Sequence, residues 1–341
     1  MSQRKPRSSF SGRITLADVA RHAGTSMISV SRAFRQKSLV TEELQARIFE
    51  AARTLGYVPN RAASALASAR SMNIAALIPS MTNNVFTDML AGINEVLTPR
   101  GYQVLIGSTG YSPLEEQRLL RSILEFRPDG LLITGIDHLP ETWRLIETLT
   151  VPTVSLMELA NRPGSYSVGL SQIDGGYAMA RHLLSRGYRR IGFVAAQLDP
   201  RTMARWEGYK KALEEADLYA PSRQLLAPEK SSIRLGADLL DQMLEKSPDT
   251  DALFFCNDDL AQGALFRCQR RGIAVPGQLA LAGFNDLPAS AWTMPSLTTI
   301  ATPRLEIGRA GAEMLLELMQ GGEPKNRNQD LGFTLMSRES T

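Results

Sequence analysis

From Asn73 onward the chain alternates short, almost unbroken apolar runs with amphipathic helical segments, and this alternation constrains its fold more than any other feature. The runs are NIAALIP (73–79), YQVLIG (102–107), DGLLITG (129–135), VPTVSL (151–156), RIGFVAA (190–196), DALFFCN (251–257) and LALAGFN (279–285). Runs without polar alternation suit strands covered on both faces, as in parallel sheets flanked by helices. Between them lie DMLAGINEVLTPRG, LEEQRLLRSILEF, GGYAMARHLLSRG and DLAQGALFRCQRRG, apolar at helical spacing. Strand–helix alternation with right-handed crossovers predicts an open doubly wound α/β sheet. Seven or more strands over about 270 residues exceed one compact domain, so two such lobes are expected.

The first 70 residues have a different texture. They hold 12 Lys/Arg against 4 Asp/Glu, leaving 26 against 31 in the rest of the 341-residue chain. A small basic unit on an acidic body predicts a polyanion partner for that unit alone. Only four of the twelve basic residues lie in the first thirteen positions, so a solubilising tail does not account for the excess. Residues 1–12 read as a disordered basic arm. Thr15 and Asp18 then form a T-x-x-D start signal for a helix with Leu16, Val19, Ala20 and Ala23 on one face. Gly24 breaks it, Ser26 can cap a second helix, and Thr41 opens a third that Gly56 ends. Three short helices with a turn between the first two predict an all-α helix-turn-helix headpiece over residues 13–58.

The second helix carries the candidate chemistry. In TSMISVSRAF (25–34), Met27 and Ile28 stand among Ser26, Ser29 and Ser31 rather than on a core stripe. A helix that enters the major groove N-terminus first has a use for such residues. Apolar side chains can contact thymine methyls, while Ser29 and Arg32 can bond to base edges or phosphate. Amides beside the Ser26 cap can face phosphate. The segment VPNRAASALASARS that follows has little to bury and reads as a linker that folds on contact, placed at 59–71.

ITLADVARHAGTSMISVSRAF with GYVPNRAASALAS, and downstream FCNDDLAQGALFRCQRRGIAVP, LALAGFNDLP and PSLTTIATPRLEIGRAGAEMLLE, resemble the LacI-type bacterial transcriptional repressors over about residues 14–337. The resemblance implies a hinge helix between the headpiece and a core like that of periplasmic sugar-binding proteins. It implies a homodimer or tetramer whose affinity for a pseudo-palindromic double-stranded operator is set by a small effector. No long heptad tail follows, which argues against a C-terminal coiled-coil tetramer. Within the family DPRT…GY, CNDDLAQGALFRCQRRG and LGFTL look most like the gluconate and 2-ketogluconate regulators. The DNA-binding set implied is Thr15, Ser26, Met27, Ile28, Ser29, Ser31, Arg32, Asn60, Arg61 and Leu66. Leu66 falls on the leucine that family members wedge into the minor groove, where an apolar insert unstacks a base step. For Asn60 a capping role is the alternative.

The core is expected over 72–341, with one lobe at about 72–170 and 300–328 and the other at about 171–299 and 329–341. Its effector site should lie in the cleft between them at the C-terminal ends of strands. Candidates are Ser80, Phe86, Thr134, Arg201, Arg205, Asn257, Asp258 and Asn285. Arg205 matches the arginine of the family's R-x-x-G-[YF] pattern, an anchor for a hydroxyl or carboxylate. Two departures bear on the ligand: Leu170 and Asn285 stand where many relatives responding to neutral sugars or purines carry Asp. With Arg201 and Arg205 kept, the cleft is expected to be more positive, which favours a sugar acid over a neutral polyol.

Other classes fit less well. His22, His138 and His182 are the three histidines, and no nucleophile elbow, H-E-x-x-H, Walker loop or dinucleotide fingerprint follows a strand. Neither an enzymatic activity nor a cofactor is expected. Cys256 and Cys268 have no metal-ligand spacing. A transport binding protein shares the two-lobed core but needs export, and the basic N-terminus lacks a following apolar segment. No apolar run is long enough to span a bilayer. A cytoplasmic regulator, repressor or activator, is the expectation.

Overall fold

The computed structural model describes residues 14–35, 39–59, 70–149, 151–160 and 162–341. Packing divides the chain into two compact units, Met1–Ser71 and Met72–Thr341.

The described part of the first unit holds three helices, α1 (Leu16–His22), α2 (Met27–Arg35) and α3 (Glu42–Leu55). A capping box opens α1. Thr15 Oγ1 accepts from the Asp18 amide at 3.4 Å, and Asp18 accepts from the Thr15 amide at 2.9 Å. These bonds to Thr15, with Arg21 adding to them, hold the Asp18 carboxyl below its usual range. Gly24, at φ +61°, makes the turn, and Arg47 donates to the Ala23 carbonyl behind it at 3.1 Å. Ser26 Oγ accepts from the Ser29 amide at 3.1 Å and so caps α2. Val19, Val30, Ala33, Ile48 and Ala51 meet between the helices, with Phe34 edge-on to Phe49. The expected linker lies almost wholly outside the described residues, which omit 60–69.

The second unit contains two parallel sheets. One joins β1 (Asn73–Ile78), β2 (Gln103–Ser108), β3 (Gly130–Thr134), β4 (Thr153–Met157), β5 (Ser167–Gly169) and β11 (Asn328–Asp330) in the order β11-β5-β4-β3-β1-β2. The other joins β6 (Ile191–Ala196), β7 (Gln224–Ala227), β8 (Ala252–Phe255) and β9 (Ala280–Ala282) in the order β7-β6-β8-β9. A two-stranded antiparallel pair, β10 (Thr299–Ala301) with β12 (Thr334–Met336), accompanies them. The seven apolar runs correspond to β1–β4, β6, β8 and β9. The remaining strands are three or four residues long, too short to show a period. The chain passes between the sheets three times, after β5, after β10 and after β11, so each lobe is built from separate stretches of sequence.

Helices α4 (Asn84–Leu97), α5 (Pro113–Leu124), α6 (Pro140–Leu149) and α11 (Arg304–Met319) belong to the first lobe. Helices α7 (Gln172–Ser185), α8 (Pro200–Glu214), α9 (Ile233–Lys246) and α10 (Asp258–Arg271) belong to the second. The first core helix begins at Asn84, upstream of the segment read from sequence, because Asn83 Oδ1 accepts from the Val85 amide at 3.0 Å and caps it there. Three helix pairs cross at reciprocal glycines. A Cβ on Gly176 of α7 would stand 2.1 Å from the Arg205 carbonyl oxygen of α8, and one on Gly208 would stand 1.9 Å from that of Ile173. Gly92 with Gly308 joins α4 to α11 in the same way, and Gly236 with Gly263 joins α9 to α10. Backbones this close leave no room for a side chain, so each lobe's helices are locked in register.

Candidate functional site

Two regions bring the sequence candidates together. On α2 the buried residues Val30 and Ala33 face the core, while Met27 and Ile28 are 57% and 64% exposed. Arg32 is exposed on the same outward side, and Ser29 and Ser31 are half-buried beside it. The Ser26 hydroxyl lies 3.0 Å from that of Ser29, so the two serines form one local hydrogen-bonded group at the start of the helix. Thr15 is spent on the α1 capping box, its hydroxyl donating to Asp18 at 2.7 Å. Asn60, Arg61 and Leu66 lie outside the described residues.

The second region is the cleft between the lobes of the larger unit, where strands of both sheets end. It has an outer chamber of about 480 Å³ and a narrow inner one of about 40 Å³, which share Tyr111, Gln197, Asp199 and Arg201. Phe86, Arg201, Arg205, Asn257 and Asn285 line the inner chamber, and Thr134 lines the outer. Ser80 and Asp258 line neither. Ser80 Oγ lies 3.1 Å from Thr82 Oγ1 and accepts from its amide. The buried Asp258 carboxylate accepts from Thr299 Oγ1 and the Leu287 amide at 2.6 Å each, and from Ser290 Oγ at 2.9 Å. Those donors staple β10 and the 287–290 turn to α10. Even so, burial pushes the Asp258 carboxyl above its usual range.

Each lining side chain is placed by local structure. Arg201 is the second residue of α8, whose first amides are capped by Asp199 Oδ1 at 3.0 and 3.2 Å. Its guanidinium faces Glu158 at 3.4 Å and Asp199 at 3.5 Å. Burial opposes its charge, but Asp199, Glu158 and Asp137 outweigh that and raise its pKa above the usual arginine value. Arg205 follows one turn later and is fixed differently. Its Nε donates to Gln172 Oε1 at 2.9 Å, one Nη to the Cys256 carbonyl at 2.6 Å, and its plane lies 3.9 Å over the Phe284 ring. With little negative charge beside it, burial lowers its pKa.

The neutral side chains complete the inner wall. Asn257 Oδ1 caps α10 at Leu260 while its amide group meets Ser231 Oγ at 2.9 Å. Asn285 sits at φ +111° and its Oδ1 is buried with no hydrogen-bond partner. Its carbonyl is held by Arg304, which also bonds Asp88 at 2.9 Å. Asn83 donates to the Tyr111 hydroxyl at 3.2 Å, and the Tyr111 ring meets Phe86 edge-on.

The expected positive cleft is modified by residues that reading the sequence missed. Leu170 is buried in the first lobe's apolar core and lines neither chamber. Glu158 and Asp199 supply two carboxylates from other positions. Asp199 lies within the DPRT segment, so its capping position was legible. Glu158 had no local signal, because only the pairing of β4 with β3 and β5 brings it opposite α8.

A basic helix-turn-helix unit in one chain with a two-lobed, ligand-sized cleft defines an effector-controlled DNA-binding regulator. Residues 15–60 match the model of the bacterial regulatory proteins of the lacI family, and residues 180–341 match that of the periplasmic binding protein-like domain. The chain belongs to the LacI family and is a DNA-binding transcriptional regulator. It is 49% identical to the HTH-type transcriptional regulator GntR of Pseudomonas aeruginosa, over 97% of this chain and 96% of that one. Among solved structures, the transcription regulator GntR from Chromobacterium violaceum is 52% identical, with a TM-score of 0.77 over 79% of this chain and 98% of that one. The lac repressor dimer bound to operator and the anti-inducer ONPF has a TM-score of 0.84 and 26% identity, over 96% and 99% of the two chains.

Proposed function

We propose that this protein is a cytoplasmic homodimeric repressor of sugar-acid catabolism genes that leaves its operator when a sugar acid, gluconate or 2-ketogluconate, enters the cleft. The observation that carries the reading is the pair of buried arginines, Arg201 and Arg205, on one turn of α8; Arg201 faces Glu158 and Asp199, whereas Arg205 is held by neutral groups alone. Arginine suits carboxylate recognition, and the groups around it suit hydroxyls. The unpartnered Asn285 Oδ1 adds an acceptor whose burial is costly until a hydroxyl donates to it. The names borne by relatives over nearly the whole chain agree with this class. No catalytic role is assigned to any residue.

In the headpiece, Met27, Ile28, Ser29, Ser31 and Arg32 would meet base edges and phosphates, with Ser26 presenting the start of α2. Thr15 would act through the helix it caps, and Asn60, Arg61 and Leu66 would supply the minor-groove contacts. The cleft shifts the equilibrium between operator-bound and released forms only through its differential affinity for the two. Asp199, which lines both chambers, favours a second reading, since a carboxylate accepts from the hydroxyls of a neutral sugar. Operator retention measured with gluconate, 2-ketogluconate and matched neutral sugars decides between them. Release by the acids at concentrations where neutral sugars are inert is the expected result, and the reverse order overturns it.

A further inference from the structure

We propose that Glu158 holds the place on Arg201 that the effector's carboxylate takes, so that an acidic effector binds by displacing an internal carboxylate. The inference rests on the sugar-acid reading of the cleft and names the residue that sets its preference for acids.

The turn that presents Glu158 is built from several elements. Met157, the last residue of β4, lies at φ +77°, which swings the chain out of the sheet towards the cleft. Gly169 at the end of β5 makes room for it, since a Cβ there would stand 2.4 Å from the Glu158 amide nitrogen. Gln172 Nε2 donates to the Met157 carbonyl at 3.1 Å, while its Oε1 accepts from Arg205. The same carboxamide therefore supports both the Glu158 turn and the second arginine. Gly135, at φ +90°, closes the opposite side, with the Arg201 guanidinium 3.0 Å and the Glu158 carboxylate 3.2 Å from where its Cβ would be.

The pairing is close enough to balance charge but loose as a hydrogen bond. Charge-assisted N–H···O bonds are usually about 2.7–2.9 Å long, whereas Arg201 meets Glu158 at 3.4 Å and Asp199 at 3.5 Å. Asp199 is committed to capping α8, so it cannot leave without freeing two amides. Glu158 bears no such duty. Its carboxylate comes from the first lobe and Arg201 from the second, and a guanidinium this buried requires an anion beside it. An arriving carboxylate can meet that requirement with two-pronged geometry and push Glu158 aside. A neutral polyol brings no charge to replace that of Glu158, so displacing it would leave Arg201 with Asp199 as its remaining ion pair.

Calorimetric titration of the full-length protein and Glu158→Gln with D-gluconate and with glucitol, its neutral alcohol counterpart, tests this. Removing a negative charge next to the arriving carboxylate should tighten gluconate binding by about tenfold or more. Glucitol affinity should change by less than about threefold on the same scale. Should Glu158→Gln prove poorly folded in thermal melts, Glu158→Asp, whose carboxylate is drawn back by one methylene, should shift gluconate in the same direction by a smaller factor. If wild type binds gluconate and the variants bind it no more tightly, Glu158 is not a competitor and the sugar-acid reading still stands. If neither gluconate nor 2-ketogluconate, titrated in the same way, binds wild type, both readings fall together.

Discussion

At the scale of single residues, chemistry and burial separate cleanly on α2. Val30 and Ala33 are buried, yet Met27 and Ile28 are left bare on a helix held by a Ser26 cap. If those side chains read thymine methyls, Met27→Ala should reduce the ratio of operator to scrambled-DNA affinity by roughly fivefold, about 1 kcal/mol. The slope of binding against salt should stay as it is, because that slope counts phosphate contacts. Fluorescence titration over a salt series measures both, and an unchanged ratio would make Met27 a packing residue. In the cleft, burial is the main reason that the Glu158 carboxyl titrates above its usual range, with Arg201 opposing the shift and Asp137 and Asp199 adding to it. The native state then holds that proton more tightly than the unfolded chain does. Its contribution to stability is full below the unfolded value of about 4.3 and fades as the pH rises through the native value. A glutamine lacks this dependence, so the melting temperature of Glu158→Gln relative to wild type should rise between pH 5 and pH 8. A flat difference would mean that Arg201 cancels the burial cost.

At the scale of elements, the close crossings decide where the functional side chains stand. The carbonyl of Arg205 lies against Gly176, so the arginine's position is set by a residue on a different helix. Gly176→Ala should push α7 from α8 and cost about 1–3 kcal/mol of stability, as overpacking does elsewhere. Effector affinity should fall with it, while the isolated affinity of the headpiece for DNA should not change. Denaturant melts and calorimetry would show this, and full effector affinity in a destabilised variant would separate the crossing from the site. Gly176 was visible in the sequence as one of a GG pair opening a helix. Its reason was not, because the neighbour that excludes a Cβ, Arg205, lies on another helix 29 residues later in the chain and is brought alongside by the sheet.

At the scale of the whole molecule, the two compact units divide the work. Each has its own apolar core, Val19 to Ala52 in one and the clusters of both lobes in the other. A fragment of residues 72–341 should therefore fold and bind a sugar acid as tightly as the full chain does at saturating distance from any operator. It should show no salt-dependent DNA binding. Loss of effector binding in that fragment would place part of the effector site, or of its support, in the first 71 residues.

The sequence by itself determined the periodic elements and the charge division. Apolar runs of six or seven residues, helix stripes, the Thr15–Asp18 box and the Gly24 and Gly56 breaks all act over a few residues, where propensity and burial agree. It also placed Phe86, Arg201, Arg205, Asn257 and Asn285 in one cleft, through motifs that mark strand ends and helix starts. Tertiary structure alone decided what those residues face. Ser80 and Asp258 sit at equally suitable local positions, yet the first folds onto Thr82 and the second is consumed in stapling α10 to β10. Glu158 reaches Arg201 across 43 residues because β4 and α8 end at the same cleft from different sheets. Charge balance in a buried site depends on the distance and desolvation of every neighbour, and those quantities exist only once the lobes have closed their long-range contacts.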